Sequence, residues 1–149
     1  MIANKTIRTY LACALIGGAL ALGSSAISRG QGQPDSFGAF WDKFRAAVIN
    51  GDKETVARLS QFPIARGYMM KSLKNKAQFM RHYREIFFTE TDAAKCFPKA
   101  KPFVEKLRPK EVMISCPFAS EGSTEESFVY TFTRTRTGWK FSSFENINE

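Results

Sequence analysis

The chain has 149 residues, 44% of them hydrophobic and 24% charged, and carries a formal net charge of +8 at pH 7. That length accommodates one domain with one sizeable core and leaves little room for a second. Neither internal repeats nor low-complexity segments occur, and there is no phosphate-binding loop, nucleophile elbow, metal-ligand pair or dinucleotide fingerprint, so the enzyme classes those motifs define are set aside.

Lys5 and Arg8 precede an uncharged apolar run from Tyr10 to Leu22, and Ser24-Ser25-Ala26 then supplies small residues, the layout of a secretion signal cut after Ala26. The run has 13 residues, whereas a bilayer-crossing helix needs roughly 20. Two other readings stay open: an uncleaved anchor, which Gly17-Gly18 weakens as a helix, and a lipid anchor on Cys13, although the apolar stretch runs on past that cysteine. Cleavage would leave 20 basic and 14 acidic residues, net +6. The mature protein is expected outside the cytoplasm, in the periplasm or medium, without stable membrane insertion. Residues 27–35, with Gly30, Gly32 and Pro34, read as a flexible leader, and a single domain occupies 36–149.

Phe37, Phe40, Trp41, Phe44 and Val48 share one stripe at helical spacing, opposite Asp42, Lys43 and Arg45. Asp35 or Ser36 caps this helix and Asn50-Gly51 ends it. Asp52 caps a second, short helix in which Val56 and Leu59 face inward, stopped by Phe62-Pro63. A third is predicted from about Lys74 to Phe88, with Phe79, Tyr83, Ile86 and Phe87 on its apolar side.

The period then changes. Val112, Ile114, Cys116 and Phe118 alternate with Met113, Ser115 and Pro117; Phe128, Tyr130 and Phe132 alternate with Val129, Thr131 and Thr133; Trp139 and Phe141 alternate with Lys140 and Ser142. Glu121-Gly122-Ser123 and Thr137-Gly138 are the turns between these strands. The pattern predicts an antiparallel meander with one aromatic face, covered by three N-terminal helices: an α+β layer architecture with a curved sheet wrapped around the first helix.

Cys96 and Cys116 survive cleavage, and an oxidising compartment favours joining them. The closed loop of about 20 residues would contribute roughly 3 kcal/mol in the chain-entropy picture. Two buried free thiols are the alternative. A metal site is not expected, because two cysteines and the single His82 lack ligand-pair spacing.

Phe40-Trp41-x-x-Phe44-x-x-Ala47-Val48, Gly51-Asp52 opening a helix that ends at Phe62-Pro63, and Phe128–Thr133 followed by Gly138-Trp139-Lys140-Phe141 together resemble the nuclear transport factor 2-like superfamily, over Phe37 to Asn146. The resemblance implies a cystatin-like cone, a half-barrel with a pocket between sheet and helices. That superfamily includes ketosteroid-isomerase-like and SnoaL-like cyclase enzymes, transport and scaffolding adaptors, and many secreted proteins of unassigned role. By implication, proton-transfer chemistry would need an Asp or His inside the cone and a Tyr or protonated acid for the oxyanion. This sequence departs from that pattern. Asp35 and Asp52 sit at caps, Asp42 lies on a polar helix face and Asp92 in a loop, so no catalytic residue is assigned. Glu126 and Glu145 share the parity of inward strand residues but read better as solvated strand ends. His82, beside the apolar stripe of the third helix, is either a boundary residue or a pocket residue.

Tyr68, Tyr83, Tyr130 and Trp139 combine apolar area with one polar tip and are the aromatics placed to line a pocket, together with His82 and with Arg134 at its rim. Core packing explains the same aromatics. Residues 66–110 hold 12 Lys or Arg against 4 Asp or Glu. Such a basic region attracts an anionic partner, lipid headgroups or acidic glycans, or serves as solvated surface. Nucleic acid is not expected, since no recognition motif is present. Three functions stay open: noncatalytic binding of a small hydrophobic ligand or protein partner, without cofactor; an isomerase- or cyclase-like enzyme; and a structural envelope component.

Overall fold

A computed structural model describes residues 36–67, 70–118 and 127–146. Every described residue belongs to one compact unit. The segments expected to be a secretion signal and a leader, with Asp35, Tyr68, Glu126 and the expected turn at Glu121-Gly122-Ser123, lie outside the described residues.

Helix α1 spans Phe37–Ile49, and the Ser36 side chain caps it by accepting from the Ala39 amide at 3.2 Å. Its apolar stripe is inside, as the spacing requires: Trp41, Phe44, Ala47 and Val48 are buried. Gly51, at φ 67°, reverses the chain in a backbone conformation that side-chain-bearing residues resist. Helix α2, Lys53–Arg58, follows at once, capped by Asp52 accepting from the Thr55 amide.

Past this point the expectation of a plain stop at Phe62-Pro63 is corrected. Ser60–Arg66 forms a strand, β1, which contains the cis Phe62–Pro63 bond and pairs parallel with the last strand. A proline within a sheet belongs at an edge, where its missing N–H costs no ladder bond, and β1 is an edge strand. Helix α3, Lys76–Arg84, is capped by Asn75 and continues as a π-helical turn, Glu85–Thr89. A fourth short helix, α4 (Ala93–Cys96), follows, capped by Asp92.

Strands β2 (Glu111–Pro117), β3 (Ser127–Thr135) and β4 (Gly138–Asn146) form the expected antiparallel meander. With β1 added, the sheet is mixed rather than purely antiparallel, in the order β1-β4-β3-β2. A bulge interrupts β4. Phe132 pairs with Phe141 and Thr131 with Ser143, leaving Ser142 as the extra residue. Strict alternation would aim Glu145 with Phe141; the bulge resets the parity, so Phe144 is buried and Glu145 exposed.

Phe44 is the hub of the core. Its ring lies 4.9 Å from Phe132 and 5.5 Å from Phe141 on the sheet, and 6.2 Å from Phe87 on the π-helical turn. The α+β reading, with α1 lying against the aromatic face of the sheet, therefore holds for the described residues.

Candidate functional site

Phe44, Phe87, Phe97, Phe132, Phe141 and Tyr130 are all fully buried and fill the space between helices and sheet. Interlocking rings at 5 to 6 Å leave no room for a ligand of ordinary size among them. The Tyr130 hydroxyl donates to the Ile86 carbonyl at 2.7 Å and meets Thr91 Oγ1 at 2.7 Å. Tyr130 is thus a satisfied core residue that ties β3 to the π-helical turn, not a pocket lining.

At the mouth of the cone, the Arg66 guanidinium donates to Glu85 Oε1 at 2.5 Å, and His82 Nδ1 lies 2.7 Å from Glu85 Oε2. Strand β1 delivers the arginine and α3 with its π-helical turn delivers the other two. The guanidinium also lies over Phe144, 5.5 Å from the ring centroid. The hydrogen bond from His82, then Arg66, holds the Glu85 carboxyl below its ordinary value of 4.5. A carboxylate held ionised in this way is a weak proton acceptor. The neighbouring cavity, rimmed by Arg66, Gly67, Glu90, Phe128 and Glu145, has a volume of about 80 Å³. That is room for a few waters, against roughly 300 Å³ or more for a small-molecule site.

The remaining sequence candidates lie apart from one another, one pair excepted. Tyr83 is buried against Phe79 and Phe87 and lines a shallow cleft with Lys53, Arg84 and Phe88. Its hydroxyl is buried without a hydrogen-bond partner among the described residues. Burial, and then the charge of Asp52, push its ionisation up to about 12. Arg134 and Trp139 come together, with the guanidinium 5.8 Å from the indole centroid, and Trp139 lines a separate cleft with Phe40 and Lys43. His82, Tyr83, Tyr130 and the Arg134–Trp139 pair thus occupy different places and do not line one pocket.

A larger cavity, about 450 Å³, opens on the outer side of the domain beside the Cys96–Cys116 disulfide. Helix α4 and the segment after it contribute Asp92, Lys95, Lys99 and Ala100, and the end of β2 contributes Ser115, Pro117 and Phe118. Its chemistry is amphipathic: Phe118, Pro117, Ala100 and the disulfide form an apolar wall, and lysines stand at its edge. Lys95 is bonded to Asp92 at 2.8 Å, whereas Lys99 has no ion pair among the described residues. The sequence pointed to the disulfide and to the basic segment, but the groove itself arises only where the bridge and the buried Ala93 and Phe97 seat α4 beside the end of β2. Arg66 escaped notice because β1 did. Glu85 was not singled out from the sequence either; the one signal available was its place three positions after His82. Among the described residues no cluster of three or more potential metal ligands occurs, and no helix is long and apolar enough to cross a membrane.

Several solved structures are similar to this chain. They include a nuclear transport factor 2-like protein with a cystatin-like fold from Novosphingobium aromaticivorans (16% identity, 72% of this chain, 76% of that one, TM-score 0.40). Another, of unknown function, is from Cytophaga hutchinsonii (13%, 72% and 84%, TM-score 0.42). A third, of unknown function in nutrient uptake, is from Rhodospirillum rubrum (18%, 75% and 97%, TM-score 0.43). No protein-family model matches the chain, and no curated protein does.

Proposed function

We propose that this protein is a noncatalytic binding domain that works outside the cytoplasm and takes an amphipathic anionic ligand in the groove beside its disulfide. One contrast carries the reading: the cone interior is packed with aromatic rings, while the 450 Å³ groove on the outside pairs an apolar wall with Lys95 and Lys99. A ligand with a hydrocarbon body and a carboxylate head matches both halves of that lining. The disulfide supports an oxidising compartment. Proton-transfer catalysis finds little support, since the mouth carboxylate Glu85 is committed to Arg66 and His82.

Lauric acid is a suitable probe. Added in excess over the exported protein, it raises the melting temperature, because a ligand that binds only the folded state stabilises it by mass action. Lys99→Glu removes the free cation and abolishes the rise without lowering the melting temperature of the unliganded protein. Absence of a shift in the wild type, or an equal shift in Lys99→Glu, would refute the groove as the site.

A further inference from the structure

Between α4 and β2 the chain runs through Lys101-Pro102-Phe103-Val104-Glu105-Lys106-Leu107-Arg108-Pro109-Lys110. Three apolar side chains in this stretch face outward: Phe103 is 60% exposed, Val104 49% and Leu107 87%. Isolated exposed apolar residues are ordinary, but three within five positions, the last at the tip of a turn, form a protrusion. The backbone holds it in place. Phe103 and Met113 exchange both amide bonds at 2.9 and 2.8 Å, clamping the base of the segment to β2. The Arg108 amide bonds to the Glu105 carbonyl at 3.0 Å, closing the turn that carries Lys106 and Leu107. The Glu111 amide bonds to the Arg108 carbonyl at 2.9 Å, closing a second turn.

Charge around the protrusion is net positive, with Lys101, Lys106, Arg108 and Lys110 set against Glu105 and Glu111. Arg108 pairs with both acids, lying 3.1 Å from Glu105 and 3.4 Å from Glu111. Lys101, Lys106 and Lys110 form no ion pair among the described residues. Their aliphatic stems can lie along an apolar phase while the ammonium groups stay at its polar boundary.

We infer that the Phe103–Leu107 turn docks this domain on an anionic lipid surface, with Phe103, Val104 and Leu107 entering the headgroup–acyl boundary and the surrounding lysines meeting phosphates. A protruding apolar tip flanked in sequence by unpaired cations suits a bilayer interface, which yields to any shape; an acidic protein would need a pocket made to receive it. The inference does not depend on the groove: it concerns a different surface, and either reading can fail alone.

Cosedimentation of the full exported protein with phosphatidylcholine vesicles and with equimolar phosphatidylcholine–phosphatidylglycerol vesicles tests it. Binding is expected to the second kind only, weakening as salt rises. Leu107→Ser, at a position too exposed to endanger folding, should lower the partition coefficient by about tenfold through lost apolar insertion. Lys101→Glu with Lys106→Glu should lower it at least as far. Near-ultraviolet circular dichroism establishes that each variant is folded. Soluble glycerophosphoglycerol, the headgroup without its chains, should not displace the protein from vesicles. Failure of the wild type to bind anionic vesicles overturns the inference, as does full binding by Leu107→Ser or displacement by the free headgroup. Salt-sensitive retention on polyglutamate without vesicle binding would assign the surface to an acidic partner instead.

Discussion

Tyr83 and Tyr130 both turn a hydroxyl toward the interior and differ in what that hydroxyl meets. Tyr130 donates to Ile86 and is paired with Thr91, whereas the Tyr83 hydroxyl has no partner among the described residues. Removing a satisfied buried hydroxyl strands its partners, at a cost of about 1–3 kcal/mol, while removing an unsatisfied one is neutral or favourable. Denaturant unfolding should therefore show Tyr130→Phe destabilised by that amount and Tyr83→Phe unchanged or slightly stabilised. The same burial makes stability fall at high pH. Tyr83 ionises near its ordinary value of 10.0 when unfolded and at about 12 when folded. Between those values the folded form holds the extra proton, so its contribution is complete below pH 10 and is lost as pH rises toward 12. Stability measured across that window should decline less steeply in Tyr83→Phe than in the wild type. Little of this was readable beforehand. Tyr130 was visible as an inward aromatic, but Thr91 lies 39 positions away and the Ile86 carbonyl is presented by a π-helical turn that periodicity does not reveal.

At the scale of elements, legibility followed hydrophobic period. Helix α1 announced itself through Trp41, Phe44 and Val48, and β2 and β3 through their alternation. Strand β1 stayed hidden because only Ser60 and Ile64 are buried in it and Pro63 imitates a helix stop. The β4 bulge was equally invisible: the extra residue, Ser142, is polar and fits simple alternation, so the reversal of Phe144 and Glu145 shows only in the pairing register. The disulfide is the element-level feature with the clearest energetic consequence. It joins α4 to the buried Cys116 of β2 across 20 positions. Replacing both cysteines by alanine should cost about 3 kcal/mol of unfolding free energy by restoring chain entropy to the unfolded state. Equal denaturant midpoints for the oxidised wild type and the double variant would show that the bridge does not stabilise the fold.

For the molecule as a whole, the α+β architecture was legible and the pocket was not. A sequence rich in inward aromatics reads alike whether the rings line a cavity or fill it, and volume decides between the two. Phe44, Phe87, Phe97, Phe132 and Phe141 meet in the centre, so the expected ligand site inside the cone is occupied by the protein itself. What distinguishes the domain then lies outside: a groove of about 450 Å³ beside the disulfide, lined in part by the basic segment 66–110. The most direct test is an NMR titration of the isotope-labelled domain with lauric acid. The account predicts shift changes concentrated at Lys95, Lys99, Ser115 and Phe118, with the rings of Phe44, Phe132 and Phe141 undisturbed. Shifts centred on those three interior rings, with the groove silent, would contradict it.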